Sequence, residues 1–287
     1  MIMMNADLRL GDCLLVMSAI AANSVDMVLC DLPYGTTACK WDAIIPFDKL
    51  WEHYARIVKP HGVVVLTAAQ PFTSALVMSN PSWFRHEWIW DKVRPSGMQI
   101  AKYRPMQRHE SVLVFSKGTP RYFPQMTERE EKVTGCAHSK SGSSPLANLD
   151  GQTREYTHKF PQSILPDAAV AYGVIDICKT NVHHETEKPV ALLSFFLQTY
   201  SREGDTVLDN TMGSGSTGVA CVIENRNFIG IEKDLGYFGC AVQRVLSERR
   251  EHVGRHYVFG VDRSGDTESK IYVIRGSTMP MDFGDPN

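Results

Sequence analysis

Short apolar runs recur along this chain, separated by segments with helical spacing. Residues 25–29, VDMVL, read as a buried strand, and VVVLTAA at 63–69 reads as a second. DLRL (7–10), HEWIWDK (86–92), SVLVF (111–115), TVLD (206–209) and NFIGIE (227–232) are further strand candidates. Between the strands at 25–29 and 63–69, Pro46 suits a helix start. Phe47, Leu50, Trp51, Tyr54 and Ile57 follow at a 3.6-residue period, which is a core-facing stripe. Other helices are expected over 14–21, from Pro71 to about Asn80, over 189–200, after Gly218 and over 235–248. Strands alternating with helices of this length predict an α/β fold with a parallel, doubly wound sheet.

The pattern collapses between about Gly118 and His183, where GCAHSKSGSSPLANLDGQ (135–152) is small, polar and nearly aperiodic. A stretch this long inside a compact domain is usually functional or mobile. The chain therefore divides into 1–117, an insertion at 118–183, a second half at 184–253 and a β appendage or loose tail at 254–287.

Two motifs carry chemistry. The first is CDLPYG (30–35), directly after the strand at 25–29. Ligands bind beyond the carboxyl ends of strands in open α/β sheets. Asp31 there can accept a hydrogen bond from an amine, and the Leu32 carbonyl can accept another, with Pro33 holding the turn. Tyr34 offers a flat stacking face. Such a pocket suits an amino-bearing nucleobase, although the same residues also make an ordinary strand-to-turn junction.

The second motif is Gly213-Ser214-Gly215-Ser216-Thr217-Gly218, lying between a strand and a helix. In that context the glycines permit a tight turn and close backbone approach to a ligand. Glu232, at the tip of the next strand, suits ribose hydroxyls. A nucleoside cofactor follows, either a dinucleotide or S-adenosylmethionine. Only the methyl donor uses both motifs, with the donor at Gly213–Gly218 and the acceptor at Asp31–Tyr34.

The formal net charge is −2, so nucleic-acid contact must come from a local patch. Residues 85–121 supply one, with eight basic side chains against three acidic ones. A basic loop with an aromatic is what phosphate contact needs, and a solvated surface loop is the other reading. The seven cysteines are scattered without a CxxC pair, which points to a reducing compartment, the cytoplasm, and away from zinc. No metal is expected, since His183-His184 lack a third ligand at fitting spacing. Neither a signal peptide nor a membrane span is expected.

With these motifs in view, the chain resembles the DNA amino-methyltransferases, which methylate exocyclic amines of bases. Their D/N/S-P-P-Y signature is matched by DLPYG, and their D-P-F-x-G-S-G motif by LDNTMGSGSTG (208–218). RLGDC (9–13) and HETEKPVALL (184–193) match two flanking segments. The order, catalytic motif first and cofactor motif last, resembles the β group of that family. Leu32 stands for the usual first proline, Asn210-Thr211 for Pro-Phe, and Glu185 for a proline.

The resemblance implies a Rossmann-like methyltransferase sheet with circularly permuted motifs and an inserted target-recognition region. Catalysis would fall to Asp31, Leu32, Pro33 and Tyr34, acting on a flipped-out base. Asp12 and Cys13 would border the adenine of S-adenosylmethionine, Asp209 its methionine amino group, Thr186 and Lys188 its carboxylate, and Glu232 its ribose, with Gly213, Ser214 and Gly215 as the loop. Arg94, Lys102, Arg104 and Arg108 would face phosphate. Asp at position 31 favours adenine N6 over cytosine N4. Double-stranded DNA is the expected partner; an RNA substrate, a homodimer and a cognate restriction endonuclease stay open, as does a binding protein without activity.

Overall fold

A computed structural model describes residues 5–35, 42–136, 153–165, 187–253, 258–262 and 270–275. The described chain forms two compact units, one made of 1–123 with 163–287 and the other of Pro124–Gln162.

The larger unit is built on a ten-stranded sheet. Its centre is parallel: β1 (Ala6–Leu10), then β10 (Asn227–Glu232), β9 (Thr206–Asp209), β2 (Val25–Asp31) and β3 (Val58–Ala68), in that spatial order. Among the described residues, six α-helices accompany it: α1 (Cys13–Ser18), α2 (Phe47–Ile57), α3 (Phe72–Ser79), α4 (Val190–Tyr200), α5 (Ser216–Ile223) and α6 (Leu235–Val253). Alternate residues of the central strands feed two separate cores. Met27, Leu29, Val63 and Val65 pack with Phe196 of α4, Ala220 of α5 and Ala241 of α6. Val28, Cys30, Val64 and Leu66 pack with Met17 of α1, Leu50 and Tyr54 of α2 and Leu76 of α3. A strand buried on both faces shows the apolar run seen at 27–30, because neither set of side chains meets water, and the buried Asp26 before it is paired with Lys59 and Arg121.

The sheet is mixed at its edges, unlike the all-parallel sheet expected. β5 (Gln107–Phe115) pairs antiparallel with both β3 and β4 (Phe84–Ser96). The connection between β4 and β5 spans only residues 97–106 and holds a short 3-10 turn, Met98–Ile100. Parallel neighbours need a crossover of about a dozen residues or more, so this pair is antiparallel. At the other edge β11 (Val258–Asp262) and β12 (Lys270–Arg275) continue the sheet, with β12 antiparallel to β1.

Within 118–183 the chain holds strands that its pattern does not announce. β6 (Thr127–Cys136) and β7 (Thr153–Lys159) form an antiparallel pair in the smaller unit. Their described side chains are nearly all exposed, so no alternation of apolar and polar residues marks them. β8 (Ile164–Leu165) belongs to the larger unit and pairs with β4.

Gly218 marks a tight crossing in the larger unit. A Cβ there would lie 2.6 Å from Val245 Cγ2 of α6 and 2.8 Å from the Phe228 ring of β10. Gly218→Ala is expected to cost about 1–3 kcal/mol as overpacking, read as a lower urea midpoint at unchanged m-value.

Candidate active site

Parallel strands β2 and β9 are neighbours, so their carboxyl ends lie side by side. β2 ends at Asp31 and β9 at Asp209, residues 178 positions apart in sequence. The chain leaves β9 toward α5 and β10 on one side, and leaves β2 toward α2 and β3 on the other. A crevice at such a switch point is where α/β sheets hold ligands. Here it is a cavity of about 980 Å³ whose lining includes Asp12, Cys13, Asp31, Leu32, Pro33, Tyr34, Lys188, Asp209, Gly213, Ser214 and Glu232. Both motifs therefore face one space.

The acceptor end is tightly tied. Tyr34 Oη donates to Asp31 Oδ1 at 2.6 Å, and Thr67 Oγ1 donates to the same oxygen. Thr67 stands directly opposite Asp31 in the β2–β3 register. The Tyr34 ring stacks on Phe72, with centroids 5.1 Å apart and planes at 29°. Lys188 Nζ donates to Asp31 Oδ2 at 2.6 Å and lies 3.3 Å from Glu110 Oε2. Lys188 was expected at the cofactor's carboxylate; its ammonium is instead turned to Asp31. Burial works against that charge, but the Asp31 and Glu110 carboxylates outweigh it and hold the Lys188 pKa above the ordinary lysine value. Burial, with the nearby Asp31 and Glu110 charges, pushes the Tyr34 phenol well up, so it stays a donor.

The loop end is equally ordered. Gly213 has φ +51 and Gly215 has φ +84, the left-handed region that glycine enters without strain. A Cβ on Gly213 would meet nothing within 4 Å, so the backbone there is open to a ligand. Gly215 instead abuts α6, where its Cβ would lie 2.9 Å from that of Ala241. Glu232 accepts the Gly213 N–H at 2.9 Å and the Asp234 N–H at 2.8 Å, one on each oxygen. Each oxygen keeps a second lone pair for a hydroxyl donor. Asp12 caps α1 by accepting the Leu14 N–H at 2.9 Å, and Cys13 opens that helix. Asp209 is buried and accepts the Thr211 N–H at 3.1 Å. Burial raises its pKa to about 7, with hydrogen bonds from Thr217, Thr211 and Cys30 opposing the rise.

Several supporting residues escape sequence reasoning. Asn210 Oδ1 accepts from Tyr54 Oη at 2.6 Å and from Cys30 Sγ at 3.0 Å, which ties the end of β9 to β2. Glu187 accepts from Ser216 Oγ at 2.7 Å and from Arg244, while Arg244 donates to the Ser214 carbonyl at 3.0 Å. Those contacts fix the glycine loop from outside. Only the position of Glu187, beside the matched Lys188, hinted at a role.

The basic stretch is less free than its count suggests. Arg85 donates to the Ser116 carbonyl, Lys117 to the Val58 carbonyl, and Lys92 pairs with Glu110. Arg108 makes a two-pronged pair with Asp91 on the surface. Lys102 and Arg104 are exposed in the β4–β5 connection, next to an exposed Tyr103. The Arg94 side chain, and Thr186, His183 and His184 altogether, lie outside the described residues. Among the described residues, no cluster of three or more His, Cys, Asp or Glu is placed to hold a metal, and no helix is long and apolar enough to cross a membrane.

Residues 25–243 match the model of the N6/N4 DNA methylase family. The chain belongs to that family. It is 27% identical over 243 residues to type II methyltransferase M.HpaI of Haemophilus parainfluenzae, covering 79% of this chain and 69% of the relative. It is also 27% identical over 251 residues to the DNA adenine methyltransferase YhdJ of Escherichia coli K12, covering 82% and 81%. Among solved structures, the M1.HpyAVI–SAM complex aligns with TM-score 0.54 at 22% identity, covering 83% of this chain and 99% of that one. The cytosine-N4-specific PvuII DNA methyltransferase aligns with TM-score 0.56 at 16% identity, covering 88% and 94%. These likenesses agree with the Rossmann-like sheet, and the matched model spans both motifs.

Proposed function

We propose that this DNA methylase transfers a methyl group from S-adenosylmethionine to the exocyclic N6 amine of an adenine flipped out of duplex DNA. The observation that carries the reading is the single cavity lined by both Asp31 and the Gly213 loop. Adenine is favoured by the aspartate at the first motif position and by the adenine specificity named for YhdJ.

The residues present fit the cofactor. The open backbone at Gly213 admits close approach, Asp209 offers a carboxylate for an ammonium, and Glu232 offers oxygens for ribose hydroxyls. Asp12 and Cys13 border the same cavity for the adenine ring. When bound, S-adenosylmethionine supplies an electrophilic methyl group. The chain's own residues prepare the acceptor. Flipping the base costs a few kcal/mol. Tyr34, backed by Phe72 and pinned by Asp31, offers a rigid ring for the base. Asp31 and the Leu32 carbonyl accept the two amine hydrogens, with Pro33 holding the turn between them and Tyr34, so the nitrogen lone pair is drawn out of conjugation and aimed. The gain is orientation and electrostatics. Exposed Lys102 and Arg104 suit phosphate, with Arg108 free to exchange Asp91 for it and Arg94 nearby in sequence. The insertion at 118–183 is assigned to target recognition.

The test is incubation with S-adenosylmethionine and unmethylated duplex DNA, digestion to nucleosides and identification by mass and retention. N6-methyladenine, absent from an Asp31→Ala control, supports the reading. N4-methylcytosine would keep the site and overturn the base assignment.

A further inference from the structure

Lys188 is a buried cation within reach of two carboxylates. Asp31 Oδ1 already receives Tyr34 and Thr67, so Oδ2 is the oxygen left for a substrate amine. Lys188 Nζ sits on that oxygen at 2.6 Å. Glu110, on β5, has its Oε1 held by Lys92 at 2.9 Å. Its Oε2 is buried, has no hydrogen-bond partner, and lies 3.3 Å from the same Lys188 Nζ. A buried carboxylate oxygen without a hydrogen bond is costly, and an ammonium carries three donors. One cation therefore stands between a short hydrogen bond to Asp31 and a longer ion pair to Glu110.

We propose that Glu110 is a positioning residue for methyl transfer, drawing the Lys188 ammonium off Asp31 as the target amine enters and so freeing Oδ2. This rests on the reading of Asp31 as the amine acceptor. The electrostatics of the transfer favour the handover. As the N–CH3 bond forms, the S–CH3 bond breaks and its electron pair goes to sulfur. The sulfonium becomes a neutral thioether, and the amine nitrogen becomes cationic until it releases a proton to solvent. An ammonium held on Oδ2 offsets the Asp31 charge and repels that growing cation. On Glu110 the same ammonium leaves Asp31 facing the amine with its charge uncompensated. The movement is short, because both oxygens already surround one nitrogen. Lys92 holds the far oxygen of Glu110, so the carboxylate does not follow the cation.

The test uses Glu110→Gln, Lys188→Met and the double variant, all close in shape to the original side chains. Single-turnover methyl transfer to duplex DNA is measured, with cofactor and DNA affinities determined separately. Glu110→Gln is expected to slow transfer at least about tenfold while both affinities stay within about twofold. Adding Lys188→Met to it is expected to restore the rate to within about threefold of wild type, because no ammonium then blocks Asp31. A purely structural Glu110 would not be rescued by a second substitution in the core. An E110Q enzyme as fast as wild type, or a double variant no faster than E110Q, overturns the proposal while leaving the methyltransferase reading intact. A wild-type protein that transfers no methyl group to DNA overturns both.

Discussion

Asp31→Ala is expected to abolish methyl transfer, by at least about 10³-fold in single-turnover rate, with S-adenosylmethionine affinity preserved. The carboxylate gathers donors from three elements: Tyr34 just after β2, Thr67 on β3, and Lys188 just before α4. Tyr34 and Thr67 hold the carboxylate in a fixed direction ahead of the substrate, which is the preorganisation that electrostatic catalysis needs, while Lys188 covers Oδ2. Alanine removes both the amine acceptor and the centre of that arrangement. The fold should survive, because Asp31 is about one-third exposed and Lys188 keeps Glu110 as a partner. The residues proposed to hold the cofactor lie on α1, β9, β10 and the glycine loop and keep their own partners, so the affinity is expected not to change. Isothermal titration with S-adenosylhomocysteine and a tritiated methyl assay separate the two roles. Loss of cofactor binding along with activity would show that the two ends of the cavity are not divided as described.

Asp209→Asn carries the second large effect, and its sign depends on pH. The Asp209 pKa is raised from 3.8 to about 7, chiefly by burial. Between those values the folded state holds a proton that the unfolded chain releases. Stability therefore falls as pH rises through that window, and the full cost is present above pH 7. Asparagine keeps the acceptor for the Thr211 N–H and never ionises. The variant should be more stable than wild type at pH 8, by an amount on the order of a few kcal/mol, and should lose that advantage near pH 4. Cofactor binding should move the other way. Wild-type affinity should rise from pH 6 to pH 8 as the carboxylate forms opposite the methionine ammonium. The variant should bind about tenfold or more weakly at pH 8 with a flatter profile, since a charge-assisted hydrogen bond becomes a neutral one. Thermal melts and cofactor titrations at matched pH values check both arms. Parallel pH profiles for the two proteins would refute the assignment of the titration to Asp209.

Much of this architecture is legible in the sequence. The strand at 25–29 and the stripe on α2 are local patterns, and each element's own side chains decide them. The glycine loop was legible for the same reason: positive φ at Gly213 and Gly215 is a property of residue type in a strand-to-helix turn. The β6–β7 pair was not legible, because a ribbon exposed on both faces needs no alternation. The antiparallel β4–β5 pair departs from the parallel sheet that alternating strands and helices predict, and in the sequence only the short 97–106 connection argues for it.

Residue type and local spacing set the kinds of chemical group this protein brings to its site: a carboxylate and an aromatic after one buried strand, a glycine turn after another, and a carboxylate after a third. Local chemistry of that sort survives in a linear reading, because it depends on residues a few positions apart. The tertiary structure alone decided which groups meet. The adjacency of β2 and β9 brings Asp31 beside Asp209, and the β2–β3 register sets Thr67 opposite Asp31. The entry of the chain into α4 turns Lys188 toward Asp31, and the antiparallel pairing of β5 carries Glu110 within reach of the same ammonium. Strand order and register are set by the summed burial of two cores, and no single stretch of the chain encodes them.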